Sequence, residues 1–215
     1  HKTILFFILS FAVLSASGQE SKWSYGITLN PYHLSYLTVD DLELQDFKGS
    51  FGIGGGFIIT LNVSKKINIY LNPSYTSRNF KEIIPVELFS NDPELNGADE
   101  DVKRTFVNNY LDIPLGVIVN LSKNVNIDLN LAYSTLISTD SKINYDNFLK
   151  RQSPATKSNV LLGLGPNFNL AQIDNNWDLT ITASINIWLS KFHDFLPEEN
   201  PILFQAKFAL LKSRD

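Results

Sequence analysis

The chain alternates apolar and polar residues in eight separate segments, and this period of two is the pattern of β-strands that have two different faces. In the first segment, Trp23, Tyr25, Ile27 and Leu29 share one face, and small or polar residues lie between them. No stretch of useful length between the segments shows the 3.6-residue period of a helix. The predicted strand cores are 23–30, 51–62, 67–77, 110–121, 125–137, 159–170, 177–189 and 202–210.

The connections between these segments alternate strictly between short and long. The short turns cross Ser64–Lys66, Ser122–Asn124 and Asp174–Asn176, and the long connections span roughly 38–50, 78–105, 139–158 and 190–200. An even number of antiparallel strands, with short turns at one end and long loops at the other, is the layout of an outer-membrane barrel. We therefore predict an all-β fold: an eight-stranded antiparallel up-and-down transmembrane β-barrel with short periplasmic turns and long extracellular loops.

The direction of the apolar face follows from where the charges lie. Charged residues make up 19% of the chain, below the roughly 25% of an ordinary soluble domain. Of 18 Lys and Arg and 22 Asp and Glu, the predicted strand cores contain only Asp112, Asp128, Asp178 and Lys207. A soluble lipocalin-like carrier, the alternative, would need Lys and Glu on its outer face. Here the polar face is Asn, Ser, Thr and Gly, so we expect the apolar face to contact lipid.

The four strand-borne charges are predicted to lie inside the barrel. Because an unpaired buried charge is strongly disfavoured, Asp112, Asp128 and Asp178 need cationic partners. Lys207 is one such partner, and Arg78 or Arg104 could fold in from the rim. Inward glycines such as Gly116 are expected to make room for larger residues such as Tyr70. We expect this polar network to fill the interior, and an ion or proton path is the alternative.

Aromatic residues cluster near the ends of the predicted strands, as in the interfacial girdles of membrane barrels. The residues predicted to form these girdles are Trp23, Tyr25, Tyr75, Tyr110, Trp177 and Trp188, with Tyr36, Phe80, Phe106, Tyr133 and Phe192 near other strand ends.

Residues 1–18 have the composition of a secretory signal peptide. Lys2 is followed by an apolar run from Ile4 to Leu14 and then by small residues up to Gly18. The apolar run is shorter than the roughly 20 residues that a membrane-spanning helix needs. We expect 1–18 to be a cleaved signal peptide and 19–215 to be the barrel domain, exported to the cell outer membrane.

Candidate chemistry is sparse. His33-Leu34-Ser35 resembles the His-x-Ser pattern of PagL, an outer-membrane lipid A deacylase, and two residues on one strand face could form a nucleophile–base pair. Asp92, Glu94 and Asn96, followed by Gly97, reproduce the first half of an EF-hand loop, but Lys103 stands where a bidentate Glu is required. The chain has no cysteine and hence no thiolate metal site. We predict no enzyme activity, no cofactor and no metal site. The alternatives are a lipid A deacylase site at His33 and Ser35 and a metal site at Asp92, Glu94 and Asn96.

One predicted strand resembles a known family. The segment 110–121, Tyr-Leu-Asp-Ile-Pro-Leu-Gly-Val-Ile-Val-Asn-Leu, is similar to a strand of the PorT-like outer-membrane β-barrels of Bacteroidota, which belong with the small OmpA/OmpX-like barrels. The resemblance implies a non-enzymatic structural or binding module that acts through its extracellular loops, with a link to secretion or envelope assembly. The expected partners are outer-membrane lipid or lipopolysaccharide and an envelope or secretion-system protein. With a net charge of −4, we expect no nucleic acid partner, and we expect a monomer.

Overall fold

A computed structural model describes residues 23–35, 46–84, 101–143, 156–174, 177–190 and 201–213. Within these ranges the chain forms antiparallel strands β1 (Trp23–Ser35), β2 (Asp46–Gly49), β3 (Phe51–Asn62), β4 (Ile67–Leu71), β5 (Ser74–Ile84), β6 (Val102–Asn120), β7 (Val125–Ile143), β8 (Ser158–Asp174), β9 (Trp177–Trp188) and β10 (Ile202–Ser213). Among the described residues, no helix combines the length and the apolar character needed to cross a bilayer.

These ten strands form an eight-membered ring. β2 and β3 are one strand interrupted at Ser50, and β4 and β5 are one strand interrupted at Asn72 and Pro73. Pro73 has no N–H to donate to the sheet, but its carbonyl still accepts from Phe57 N at 3.0 Å. β1 pairs with both β10 and β3, which closes the ring. The predicted eight-stranded antiparallel barrel is confirmed.

The strand register fixes the tilt of the barrel. A row of paired residues that runs perpendicular to the strands starts at His33 on β1 and passes once around the barrel. It returns to β1 at Trp23, ten residues from His33. The row is His33, Phe204, Ile185, Leu164, Leu129, Val117, Ile69, Leu61 and Trp23. Eight strands with this stagger tilt by roughly 40° and enclose a barrel of about 8 Å backbone radius. At that tilt about ten residues cross a hydrocarbon band of about 25 Å.

Burial follows the alternation of side chains along each strand. The apolar residues face outward and are exposed, as at Ile27 (57%), Leu131 (50%) and Ile185 (50%). The polar residues between them face inward and are buried, as at Asn30 and Thr182, each 1% exposed. An apolar outer surface around a polar interior is the reverse of a soluble barrel, so the lipocalin-like alternative is wrong.

Several strands are longer than predicted. β6 and β7 have 19 residues each, and β5 continues to Ile84, so the long connections at 78–105 and 139–158 begin and end in strand. β8 begins at Ser158, opposite Thr135, and therefore residues 136–143 of β7 extend beyond it. Outside the hydrocarbon band the outward residues need not be apolar, and the alternation that predicts strands is lost there.

Candidate functional site

In the part of the interior nearer the short turns, Asp128 on β7 and Lys207 on β10 form a buried ion pair. Lys207 Nζ lies 2.6 Å from Asp128 Oδ2 and 3.0 Å from the Tyr70 hydroxyl oxygen. The Tyr70 hydroxyl donates to Asp128 Oδ1 at 2.7 Å, and Lys207 Nζ lies 4.2 Å from the centre of the Tyr70 ring. Gly116 leaves the space for this ring, because a Cβ at position 116 would overlap it.

A second ion pair lies nearer the long loops. Arg78 Nη2 donates to Asp112 Oδ2 at 2.7 Å and to Ser134 Oγ at 3.2 Å. Asp112 also accepts from Thr76 and Ser134. The Arg78 guanidinium carbon lies 4.6 Å from the Tyr110 ring centre and 5.8 Å from the Trp188 ring centre. This arrangement buries a guanidinium between a carboxylate and two aromatic rings, where it is both paired and packed.

A third ion pair joins Arg104 on β6 to Glu82 on β5, with Arg104 Nη1 2.8 Å from Glu82 Oε2. Both residues are buried. Sequence reasoning missed Glu82, because the whole segment 78–105 was predicted to be a loop. Glu82 faces inward with Arg78 and Phe80, but this face mixes charged and aromatic residues, so no polar–apolar alternation marked Glu82 in the sequence.

Between the first two ion pairs lies a cavity of about 30 Å³, which both Arg78 and Lys207 line. That volume accommodates about two water molecules. Described side chains therefore close the barrel at two depths, and the interior around them contains no wide channel.

Below the Asp128–Lys207 pair, the barrel opens at the short-turn end into a basin of about 890 Å³, which both polar and apolar residues line. Asp178 lines this basin, half-buried, as the second residue of β9. The structure does not bring Asp178 into the interior network, since it has no ion-pair partner among the described residues. Its position at the end of the barrel lets solvent reach the carboxylate.

No hydrogen bond joins His33 to Ser35 in the described structure. Both are half-buried on the outer face of β1. The His33 ring packs against Phe51 with centroids 4.6 Å apart, and no carboxylate of the described residues contacts it. Asp92, Glu94 and Asn96 lie outside the described residues. The described residues contain no cluster of three or more His, Cys, Asp or Glu that could hold a metal ion.

The aromatic residues divide between the two faces. Trp23, Tyr25 and Tyr75 face outward and are about half exposed, and Trp177 is half-buried with Lys212 Nζ 5.6 Å from its ring centre. Tyr110 (0% exposed) and Trp188 (6%) lie inside the barrel, so their predicted girdle positions are wrong. Both lie at inward-facing positions in the alternation of their strands, and nearness to a strand end does not decide which face a residue takes. Phe80 and Phe106 also lie inside and stack on each other at 4.9 Å.

The closed strand ring, the apolar outer surface and the ion-paired interior define an integral membrane β-barrel. No protein-family model matches the chain, and no curated protein matches it.

Among solved structures, Ail, the attachment invasion locus protein of Yersinia pestis, is similar at 13% identity and a TM-score of 0.44, over 90% of this chain and 99% of Ail. OprG from Pseudomonas aeruginosa is similar at 7% identity and 0.44, over 90% and 96%. Neisserial surface protein A is similar at 10% identity and 0.40, over 87% and 96%. The fold of this chain follows from its own strand pairing.

Proposed function

We propose that this protein is an outer-membrane β-barrel that acts as a non-enzymatic structural and binding module through its loop-side surface. The observation that carries the proposal is the distribution of outward charge. Within the described strands, the outward residues between Tyr25 at the short-turn end and Tyr75 at the loop end are uncharged. A lipid-facing band requires this, because Lys or Arg at the bilayer midplane costs about 2–4 kcal/mol.

The closed interior supports a binding role over a transport role. Two buried ion pairs, Asp128–Lys207 and Arg78–Asp112, lie across the barrel at different depths. A ligand that crosses the membrane would have to break both of them. The surfaces beyond the lipid band are then the regions available for recognition.

The loop-side extension presents a row of lysines above the apolar band. Lys48 lies opposite Lys81, Lys81 opposite Thr105, and Thr105 opposite Lys142, and the three lysines are exposed. Lys81 is six residues beyond Tyr75 on β5, which places it about 15 Å above that ring at a tilt of roughly 40°. Such a row favours a phosphate-bearing partner, and we propose lipopolysaccharide, whose phosphates lie at this level in the outer leaflet.

The proposal includes export by residues 1–18 as a signal peptide, an orientation with the short turns in the periplasm, and a monomeric state. The 110–121 segment further supports membership of the PorT-like family, with a link to secretion or envelope assembly through an envelope or secretion-system protein. Bacteroidota would be the source that this family implies. No observation favours the lipid A hydrolase alternative at His33 and Ser35.

Membrane fractionation tests the proposal. The full chain expressed in a Gram-negative host should remain in the Sarkosyl-insoluble fraction, and its gel mobility should change on heating. A fully soluble periplasmic product would contradict the outer-membrane assignment.

Lipopolysaccharide binding has its own test. The K48Q/K81Q/K142Q variant should bind lipopolysaccharide vesicles more weakly than the wild type, while K65Q/K66Q/K123Q at the opposite end should not. Equal loss in both variants would contradict a loop-side lipopolysaccharide surface.

A further inference from the structure

Two short turns with the same construction frame the basin at the short-turn end. In Ser64-Lys65-Lys66-Ile67, Ser64 Oγ accepts hydrogen bonds from Lys66 N at 3.2 Å and Ile67 N at 3.1 Å. In Ser122-Lys123-Asn124-Val125, Ser122 Oγ accepts from Asn124 N at 3.4 Å and Val125 N at 3.1 Å. A serine hydroxyl that caps successive backbone amides fixes the shape of a turn.

An asparagine on the neighbouring strand clamps each of these turns. Asn120 donates from its backbone N to Lys66 O at 2.8 Å and from Nδ2 to Lys65 O at 3.2 Å. Asn169 repeats this arrangement on the other turn. Its backbone N donates to Asn124 O at 3.1 Å, and its Nδ2 donates to Lys123 O at 2.9 Å.

The clamps fix the backbone positions of Lys65, Lys66 and Lys123, and all three lysines line the basin. The acidic groups nearby are few among the described residues. Asp178 lines the same basin, and Asp128, which lies above the basin on the side away from the short turns, is paired with Lys207. The mouth of the basin is therefore cationic on a fixed frame, which favours a ligand with negative charge.

Deeper in the basin, two buried polar atoms have no hydrogen-bond partner among the described residues. Thr60 is 4% exposed and its Oγ1 is unpartnered, and Asn126 is 3% exposed and its Oδ1 is unpartnered. Both residues line the basin. Asn126 Oδ1 is a carbonyl oxygen and can only accept. The orientation of the amide is set by its nitrogen, which donates to Asn167 Oδ1 at 2.9 Å. A matching ligand would bring O–H or N–H donors to this depth.

We infer that the basin is a binding site for a carboxylate-bearing saccharide, with its anionic group at Lys65, Lys66 and Lys123 and its hydroxyl or amide donors at Thr60 and Asn126. The volume of about 890 Å³ is within the range of small-ligand sites. The identity of the source rests on the proposed orientation: in the periplasm, the cell-wall glycan carries sugars, amides and carboxylates together.

Titration calorimetry on the refolded full-length barrel in detergent micelles tests the inference. The probes are a muramyl dipeptide, a neutral N-acetylglucosamine disaccharide and inorganic phosphate. We expect saturable binding of the muramyl dipeptide that is at least about tenfold tighter than binding of the neutral disaccharide, since three cations contribute. The K65Q/K66Q/K123Q variant should lose this tenfold preference for the muramyl dipeptide. The matched K48Q/K81Q/K142Q variant at the other end should keep it.

Thr60→Val separates the saccharide site from a simple anion site. Valine keeps the shape of threonine and removes the unpartnered hydroxyl, so the fold should be unchanged, as heat-modifiable gel mobility would show. Muramyl dipeptide binding should weaken several-fold, and phosphate binding should not change. Absence of saturable binding, equal binding of phosphate and muramyl dipeptide, or an unaffected lysine variant would each overturn the inference. These outcomes leave the membrane assignment intact, which fractionation alone decides.

Discussion

The ion pair between Asp128 and Lys207 gives the sharpest prediction. Asp128 is 0% exposed, and it accepts from Lys207 Nζ at 2.6 Å and from the Tyr70 hydroxyl at 2.7 Å. Asp128→Asn keeps the side-chain size but leaves the Lys207 ammonium in the interior without a countercharge. Removal of one partner of a buried ion pair costs about 3–5 kcal/mol. We therefore expect the free energy of unfolding to fall by about that amount.

The assay is equilibrium unfolding in urea with lipid vesicles present, followed by tryptophan fluorescence. Asp178→Asn is the matched control, because Asp178 is half-buried with no ion-pair partner among the described residues, and it should change stability by less than about 0.5 kcal/mol. The double variant D128N/K207M removes both charges and should be more stable than D128N alone. A loss below about 1 kcal/mol in D128N, or additive losses in the double variant, would refute the role of the pair.

Three further outcomes follow from the same geometry. Gly116→Ala should destabilise the barrel by about 1–3 kcal/mol, because its Cβ would overlap the Tyr70 ring. Gly55→Ala should not destabilise it, because a Cβ there meets only one backbone atom at 3.4 Å. Urea unfolding measures the stability of both variants. Leu131→Arg in the apolar band should cost about 2–4 kcal/mol and Ser138→Arg above it about 0–1 kcal/mol, and equal costs would contradict the position of the band. In planar bilayers the wild type should show no sustained wide-channel conductance, and stable porin-like steps would contradict the closed interior.

The sequence predicts the membrane-spanning part of the fold because lipid imposes one rule on every strand. Apolar residues such as Ile27 and Leu131 must face outward, and small polar residues must fill the barrel. Beyond the lipid band this rule stops, so the ends of β5, β6 and β7 could not be read from alternation. For the same reason the end of β5 was predicted to be a loop, and Glu82, which lies there and pairs with Arg104, was not predicted to be a site residue.

Placement of individual side chains was less predictable than placement of strands. The alternation of β6 and β9 identifies Tyr110 and Trp188 as inward residues, whereas their position near strand ends alone suggests the interface. The Asp128–Lys207 contact needs the closure of the ring, which brings β10 across the interior from β7. The basin lysines were visible only as turn residues, since the asparagine clamps that hold their backbone come from neighbouring strands.

The central claim is that one face of every strand contacts lipid and the other faces a closed interior. The chain has no cysteine, so single cysteines can be placed along β7 at 129, 130, 131 and 132 and spin-labelled without a background signal. In lipid bilayers, collision with oxygen should be high at 129 and 131, which face outward, and low at 130 and 132. Uniform accessibility along the strand, or higher oxygen accessibility at the even positions, would contradict the barrel.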